Sequence, residues 1–344
     1  MKVIFSKRTK KALWFSVSVV GISLYFLVML FFPLHSATSD ESSFVYVYEN
    51  TTLEQVSDSV AAKTSAIAFF FFKQAAPLLG FDKVHTGRYE IKTGMSNFTL
   101  IRNLKAGRQK PLMLTFNNIR TKEQLAGRLS KLIMADSISI ISLLNDTSFL
   151  SPKGFNPQTS KAVFIPDTYE VFWNITAEDL FDRMLKEYSK FWTNERRQKA
   201  ALIPLTPIEV ATLASIVEEE SNSQRERPKI AGLYINRLKK NMPLQADPTL
   251  KFAVGDFSIK RLRFGHIRRN SPYNTYLNTG LPPGPIRVAS AKGIDAVLNY
   301  DKHNFIFMCA NENFDGEHNF AVTYADHLVN ARRYQKALDA RNIK

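Results

Sequence analysis

An uncharged, mostly apolar run near the N-terminus constrains this chain more than any other feature. It extends from Ala12 to Leu34 and reads ALWFSVSVVGISLYFLVMLFFPL. A helix of about 20 apolar residues is long enough to cross a bilayer. The cations that precede the run mark the cytoplasmic side of a membrane segment; they are Lys2, Lys7, Arg8, Lys10 and Lys11. We therefore predict a cytoplasmic basic segment over 1–11 and a transmembrane helix over 12–34. The rest of the chain is then expected outside the cytoplasmic (inner) membrane.

A cleaved signal peptide is the alternative interpretation of this segment. Signal peptides have a shorter apolar region followed by small residues at the cleavage site, and HSATS at 35–39 is a weak match to such a site. The longer run favours an uncleaved anchor. The single cysteine, Cys309, excludes an internal disulfide, so we expect the exported part to be stabilised by packing alone.

The charge of the chain limits its partners. Lys and Arg number 46 against 31 Asp and Glu, which gives a formal net charge of +15. Basic surfaces bind nucleic acids, anionic lipid head groups and other anionic polymers. Because most of the chain is predicted to be exported, we expect no nucleic acid partner and favour the membrane and a cell-wall polymer. A general solubilising role for the charge remains the alternative.

The chain is long enough for several domains, with 344 residues of which 45% are hydrophobic. Between 42 and 108 the pattern predicts a strand, a helix capped by Thr51 or Thr52, a second helix with four consecutive phenylalanines (Phe69–Phe72), a strand and a Ser96-capped helix. Four consecutive side chains cannot all face inward on one helix, so some must contact another domain, a partner or lipid unless neighbouring segments cover them. Overall we predict an α+β fold: a small module at 42–108, a connecting α/β region at 109–160, and a mixed α+β domain at 161–344.

A helix that ends in three glutamates is the first candidate for chemistry. TPIEVATLASIVEEES begins with a capping box of Thr206 and Glu209, which fixes the register of the helix. At about 100° per residue, Glu218 and Glu220 flank the apolar stripe and Glu219 faces solvent. Partial burial and mutual repulsion raise a carboxyl pKa, as a general acid requires. Ordinary residues at the edge of an apolar stripe are the alternative.

Polar motifs after this helix suit sugar recognition. They are YINRL (234–238), MPLQADPTL (242–250), SPYNTYLNTGLPPGPI (271–286) and HNFAVTYADH (318–327). Asn, Gln, Thr and Tyr exchange hydrogen bonds with hydroxyl and amide groups, and aromatic faces pack on sugar rings. His303, His318 and His327 do not have the spacing of a metal site, and we expect neither a metal nor a cofactor. We regard the following as candidate substrate-binding residues: Glu220, Asn236, Gln245, Asp247, Tyr273, Asn274 and Thr275.

Together these motifs resemble the endolytic murein transglycosylases, the MltG or YceG-like family. The resemblance is carried by LASIVEEES, YINRL, LQADPT, YNTYLNTGLPPGPI and HNFAVTYADH. It implies a single-pass membrane enzyme that cuts nascent peptidoglycan strands, a lysin-motif-like module at 42–108 and a YceG-like catalytic domain at 161–344. It also implies peptidoglycan synthases (penicillin-binding proteins) as candidate partners. Carried over by position, the catalytic glutamate is Glu218, and Glu220 matches a second acidic position.

The resemblance further implies a reaction that needs one carboxyl group. Glu218 would protonate the oxygen between MurNAc and GlcNAc, and its carboxylate would then activate the MurNAc 6-hydroxyl, giving 1,6-anhydroMurNAc ends. Asn236, Gln245, Asn274 and Thr275 would hold the sugar. Two alternatives remain: a lysozyme-type hydrolase, for which Asp247 would hold the water, and a wall-binding scaffold without activity.

Overall fold

The computed structural model describes residues 7–33, 43–259 and 262–341, which form two compact units. The first unit comprises Met1–Met113 with the short segments Leu132–Met134 and Glu170–Ile175, and the second unit comprises the rest of the chain. Lys2 and the HSATS segment at 35–39 lie outside the described residues.

The first unit begins with the long apolar helix α1 (Lys7–Phe31), which is long and apolar enough to cross a membrane. Its last turn enters the core of the unit, where Met29 is buried. The other elements are β1 (Ser43–Val47), α2 (Leu53–Ala61), α3 (Ala66–Leu78), β2 (Gly87–Ile91) and α4 (Asn97–Lys105). Strands β1 and β2 are antiparallel, with Ser43 opposite Ile91.

Local capping signals predicted the helix starts of this unit. Thr52 forms a capping box with Gln55 at the start of α2, and the Ser96 side chain accepts a hydrogen bond from Thr99 N at the start of α4. These contacts satisfy backbone N–H groups that have no partner within the helix. The resemblance of 42–108 to a lysin motif stays a prediction.

The phenylalanine run lies on α3, and its members differ in environment. Phe72 is buried in the core of the unit, and Phe69 and Phe71 pack against that core while still partly exposed. Phe70 is 53% exposed. Neighbouring segments therefore cover three of the four rings wholly or in part and leave Phe70 largely uncovered.

Strands β3 (Leu112–Thr115) and β4 (Thr168–Val171) lie where the chain passes between the units. The second unit is mainly helical and has one hairpin of its own, β5 (Phe307–Ala310) and β6 (His318–Ala321), which is antiparallel. Its helices are α5 (Lys122–Leu129), α6 (Ser137–Asn145), α7 (Thr147–Leu150), α8 (Ala177–Phe191), α9 (Asn194–Leu202), α10 (Pro207–Glu220), α11 (Arg227–Lys239), α12 (Asp247–Val254), α13 (Phe264–Ile267), α14 (Ala291–Leu298) and α15 (Tyr324–Ala340). Two short 3₁₀ helices occupy Ser151–Lys153 and Ser160–Val163.

Helix α10 is the centre of the second unit. It starts with the predicted capping box, in which Thr206 N donates to Glu209 Oε2 at 2.7 Å and Glu209 N donates to Thr206 Oγ1 at 3.3 Å. All residues from Val210 to Glu218 are buried, because α9, α11, α12 and α14 pack around the helix. The helix is therefore not amphipathic, and its helical wheel could not show which of the glutamates meets solvent.

The structure confirms a mixed α+β chain with an apolar N-terminal helix. Most of the predicted connecting region, 109–160, belongs to the second compact unit, and the boundary predicted near 160 falls inside that unit. The two short segments that return to the first unit carry no signal in the sequence that sets them apart.

Candidate active site

A cavity of ≈ 360 Å³ contains the last residue of α10, Glu220. The wall is formed by α11, the residues that lead into α12, the hairpin β5–β6 and the start of α15. Its ionisable and amide side chains come from Glu220, Tyr234, Arg237, Gln245, Asp247, Tyr276, Cys309, His318, Tyr324 and His327. Phenol, amide and carboxyl groups around one cavity suit a ligand with many hydroxyl groups.

Glu220 is positioned to donate a proton. Its carboxyl group faces the cavity and is otherwise surrounded by protein, and Tyr234 Oη donates to Oε1 at 2.8 Å. Burial raises the pKa of Glu220 to about 7; the hydrogen bond from Tyr234 opposes the rise and the charge of Asp247 adds to it. A carboxyl group that titrates near 7 can both give and take a proton at neutral pH.

Asp247 and Gln245 form the part of the wall that precedes and begins α12. Tyr276 Oη donates to Asp247 Oδ1. Gln245 N donates to Thr275 O at 3.0 Å, and Gln245 has a φ of 51°. A residue other than glycine in this left-handed region is strained, and such strain is often found at functional sites. Both predicted residues therefore lie in the cavity with Glu220.

Arg237 supports this wall from within. It is buried, and its guanidinium donates to Ile306 O at 2.7 Å, Leu244 O at 2.8 Å and Gln245 Oε1 at 3.2 Å. Burial lowers the pKa of Arg237 from its ordinary value, but an arginine remains charged at neutral pH. The contacts connect α11 to the strained Gln245 and to the residues before β5.

His318 contributes an imidazole that a second glutamate orients. Its Nδ1 lies 3.0 Å from Glu226 Oε2, and its backbone N donates to Glu226 Oε1 at 2.6 Å. Burial lowers the pKa of His318, but Glu226 and Glu220 outweigh that effect and the pKa is raised. The raised pKa favours the protonated form of His318 beside Glu220.

Glu218, the glutamate expected to be catalytic, lies in a different environment. It is 5% exposed. Ser290 N donates to Oε2 at 3.0 Å, the Ser290 hydroxyl donates to Oε1, and Arg227 Nη1 lies 3.3 Å from Oε1. Ser290 is the N-cap of α14, where the partial positive charge of the helix also favours an anion. Both carboxylate oxygens are therefore occupied by donors within the protein.

Gly293 allows α14 to approach the Glu218 carboxylate closely. A Cβ atom on Gly293 would lie 2.5 Å from Cδ of Glu218. The first turn of α14 can therefore approach the carboxylate only because this residue has no side chain.

Glu219 was predicted to face solvent, and that prediction is wrong. Its side chain is 13% exposed. Arg120 Nε and Nη2 each donate to its carboxylate at 2.9 Å, and Arg287 Nη1 lies 3.1 Å from Oε1. Paired, nearly parallel hydrogen bonds of this kind are the strongest contact that an arginine makes with a carboxylate. The helical wheel failed because both arginines come from segments distant in sequence.

The three glutamates at the end of α10 therefore have separate roles in the structure. Arginines neutralise Glu218 and Glu219, which offsets the unfavourable placement of negative charge at a helix C-terminus. Glu220 has no such partner among its hydrogen bonds and ion pairs in the described part of the chain. The carboxyl group with the raised pKa, that of Glu220, is thus the one that lies in the cavity.

Four other predicted residues do not line the cavity that contains Glu220 and instead contact other parts of the protein. Asn236 Nδ2 donates to His303 O at 2.7 Å. Asn274 Nδ2 donates to Ile267 O and Arg269 O, both at 2.8 Å. Thr275 Oγ1 accepts from Ala246 N at 3.0 Å, and Tyr273 lies beside Phe252 in a second cavity. The two loop residues hold the segment that presents Gln245.

Sequence reasoning missed Tyr234, Arg237, Tyr276 and His318 as individual wall residues. All four lie in motifs that the sequence singled out, and Tyr234 and Arg237 are three residues apart on one face of α11. That spacing was the available signal. For His318 the motif HNFAVTYADH was the signal, but its orientation could not be predicted because it depends on Glu226, which is far away in sequence. Among the described residues no group of three or more His, Cys, Asp or Glu side chains is placed to hold a metal ion.

Comparisons with known proteins agree on one family. The model of the YceG-like family matches residues 45–333. An endolytic murein transglycosylase of Bacillus subtilis (strain 168) is 29% identical over 286 residues, which covers 78% of this chain and 77% of the relative. An endolytic murein transglycosylase of Streptococcus pneumoniae serotype 2 is 25% identical over 334 residues, and this chain spans only 59% of its length.

A solved structure supports the fold. The 2.6 Å crystal structure of a putative YceG-like protein from Listeria monocytogenes has a TM-score of 0.56 to this chain at 23% identity. The match covers 85% of this chain and 99% of the other. At this identity the likeness concerns the fold alone.

Proposed function

The chain belongs to the YceG-like family, and from this membership and the cavity we propose that it is a lytic murein transglycosylase that cuts peptidoglycan glycan strands. The observation that supports the proposal most is a carboxyl group with a pKa of about 7 in a polar cavity, that of Glu220. The names of the relatives, endolytic murein transglycosylase, give the substrate class.

We assign the general acid to Glu220 rather than to Glu218. A general acid must be protonated at working pH and must reach the substrate. Glu220 lines the cavity and titrates near 7, whereas Glu218 is bound by Arg227 and Ser290. This assignment differs from the sequence resemblance, which gives Glu218 as the catalytic residue.

The reaction needs only this one carboxyl group. Glu220 gives its proton to the oxygen that links MurNAc to GlcNAc, and the bond from that oxygen to the MurNAc anomeric carbon breaks. The MurNAc 6-hydroxyl then bonds to the anomeric carbon and loses its proton to the Glu220 carboxylate. The products are a 1,6-anhydroMurNAc end and a free GlcNAc hydroxyl, and no water is consumed. A pKa near 7 suits both steps, since the same group acts as acid and then as base.

Other wall residues support these steps. Tyr234 donates to Glu220 Oε1, so it orients the carboxyl group and leaves Oε2 toward the proton transfer. Gln245, held by Arg237, offers an amide for a sugar hydroxyl or N-acetyl group. His318, with its raised pKa, offers a positive charge that stabilises Glu220 after it has given its proton.

A hydrolase is the second candidate, because Asp247 lines the same cavity. In a hydrolase with two carboxyl groups, one acts as acid and the other activates water or forms a covalent intermediate. Asp247 already accepts a hydrogen bond from Tyr276 through Oδ1, so this oxygen is not free to hold a water molecule. This contact favours the mechanism with one carboxyl group.

The reaction in oxygen-18 water separates the candidates. Purified glycan strands are digested with the full-length protein, and the new ends are identified by mass spectrometry. We expect 1,6-anhydroMurNAc ends without the isotope. Reducing ends that contain oxygen-18 as the main product would establish a hydrolase instead, and the absence of cleavage together with retained strand binding would establish a scaffold.

We also propose the cellular setting. Helix α1 would anchor the protein in the cytoplasmic membrane with its N-terminus inside, and the second unit would act on nascent strands outside. Cutting strands while they grow would limit their length, and the synthases that extend them are then the expected protein partners. No cofactor is needed for these steps.

A further inference from the structure

The end of α1 is built into the core of the first unit. Met29 is 1% exposed, and Asn97 Nδ2 donates to Met29 O and to Ala68 O, both at 3.3 Å. Asn97 itself is fully buried at the start of α4. The proposed membrane anchor therefore continues into the folded unit, and α3 and α4 pack directly on its last turns.

This packing fixes the height of the first unit relative to the bilayer. The uncharged run begins at Ala12, and a helix rises about 1.5 Å per residue, so Met29 lies about 26 Å along it. A hydrocarbon core is about 30 Å thick. Side chains that contact α1 near Met29 are therefore at the boundary between acyl chains and head groups.

Helix α3 makes such contacts through its phenylalanine run. The ring centroid of Phe71 lies 6.4 Å from that of Tyr25 on α1 and 5.1 Å from that of Phe32 just after it. Tyr25 is four residues closer to the membrane interior than Met29. Tyrosine is enriched at this depth because its ring is amphipathic.

The outer face of α3 is apolar at the same height. Ile67 is 62% exposed, Phe70 is 53% exposed and Leu78 is 62% exposed. The positions 67, 70, 71, 74 and 78 share one face of a helix, and of these only Gln74 is polar. The opposite face, with Ala68, Phe72 and Ala75, is buried in the unit.

The charges around this face match an anionic lipid surface. No Asp or Glu occurs between Asp58 and Asp82. Lys63 and Lys73 are exposed in this interval, and Arg102 and Lys105 are exposed on the neighbouring helix α4. Cations placed in this way are attracted to an anionic leaflet.

We propose that α3 is an interfacial helix, which inserts Ile67 and Phe70 into the leaflet from which α1 emerges. The bilayer is then a binding partner of the first unit as well as of its anchor. An amphipathic helix that lies in the interface, with basic residues at its margin, is held by its apolar face and by anionic head groups together. The proposal rests on the anchoring of α1 proposed above and is independent of the assigned chemistry.

Spin labels test the position of α3 in the full-length protein. Cys309→Ser removes the native thiol, and single cysteines are placed at Phe70, at Leu24 on α1 and at exposed Glu54 on α2. The labelled proteins are reconstituted into vesicles of phosphatidylglycerol and phosphatidylethanolamine. Collision of each label with oxygen, which concentrates in lipid, is compared with collision with a water-soluble nickel chelate, and circular dichroism verifies folding.

We expect the labels at positions 24 and 70 to favour oxygen and the label at 54 to favour the nickel chelate. A label at 70 that behaves like the label at 54, while the label at 24 is in lipid, would overturn the proposal and leave the anchor intact. A label at 24 in water would refute the anchor and the interfacial helix together. If Phe70→Cys does not fold, Ile67→Cys gives the same comparison from the next turn of the exposed face.

Discussion

The pH dependence of cleavage should follow the ionisation of Glu220. Its pKa is about 7, so the protonated fraction falls to about one hundredth at pH 9, and the rate should fall with it. Glu220→Gln keeps the volume of the side chain and removes the acid. We expect this substitution to lower cleavage by about 10²- to 10⁴-fold, the usual contribution of a general acid.

Two neighbours of Glu220 should move the alkaline limb of the pH profile in opposite directions. Tyr234 donates to the carboxyl group at 2.8 Å and stabilises its charged form. Such a hydrogen bond contributes about 1.5–3 kcal/mol, so Tyr234→Phe should move the limb up by about one to two pH units. Asp247 raises the pKa of Glu220 through its charge, and Asp247→Asn should move the limb down.

Glu218→Gln is the matched control, two residues away on the same helix. It leaves Arg227 without its carboxylate partner, and loss of one member of a buried ion pair costs about 3–5 kcal/mol. We expect a lower melting temperature and an unchanged alkaline limb for the protein that remains folded. If folding fails, Ser290→Ala removes one donor to Glu218 at lower cost. A folded Glu218→Gln protein without activity, beside an active Glu220→Gln protein, would refute the assignment.

Three further outcomes are expected. Burial lowers the pKa of Lys161 to about 7, whereas lysine in the unfolded chain keeps its proton up to about pH 10.5. Below pH 7 the folded protein therefore carries a buried charge, and Lys161→Met should raise the free energy of unfolding by up to about 4 kcal/mol. Thermal melts should show this difference between the variant and the original protein disappear between pH 7 and 10. Glu219→Gln breaks the ion pairs with Arg120 and Arg287 and should lower the free energy of unfolding by about 1–3 kcal/mol, whereas an unchanged denaturation midpoint would contradict this network. Protease added to intact spheroplasts should digest the chain beyond about residue 40, and full protection would contradict the N-inside topology.

Features that depend on nearby residues were accessible from the sequence. The long apolar helix α1 follows from composition alone. The starts of α2, α4 and α10 follow from Thr52, Ser96 and Thr206, because a capping side chain bonds a backbone group three residues away. Gln245 and Asp247 could be predicted because both lie in MPLQADPTL, a polar motif that suits sugar recognition.

Features that depend on distant residues were not accessible. The environment of Glu218 is set by Ser290, and that of Glu219 by Arg120 and Arg287, which approach α10 only in the folded chain. The same holds for Leu132–Met134 and Glu170–Ile175, which group with the first unit. A helical wheel assumes one buried face and one solvent-exposed face. Because Val210 to Glu218 on α10 are all buried, the wheel could not predict the exposure of the glutamates.

The choice among the three glutamates therefore depends on where the cations lie. Arginines contact the carboxylates of Glu218 and Glu219 directly, whereas burial raises the pKa of Glu220 even though Arg237 lines the same cavity. Glu218 and Glu219 contact arginines at 3.3 Å or less. Glu220 is displaced by about 200° from Glu218 around the helix axis and meets Tyr234 instead. Under the proposed assignment, two of the three acids at the end of α10 are paired with arginines within the protein, and the third, Glu220, is the one that transfers the proton.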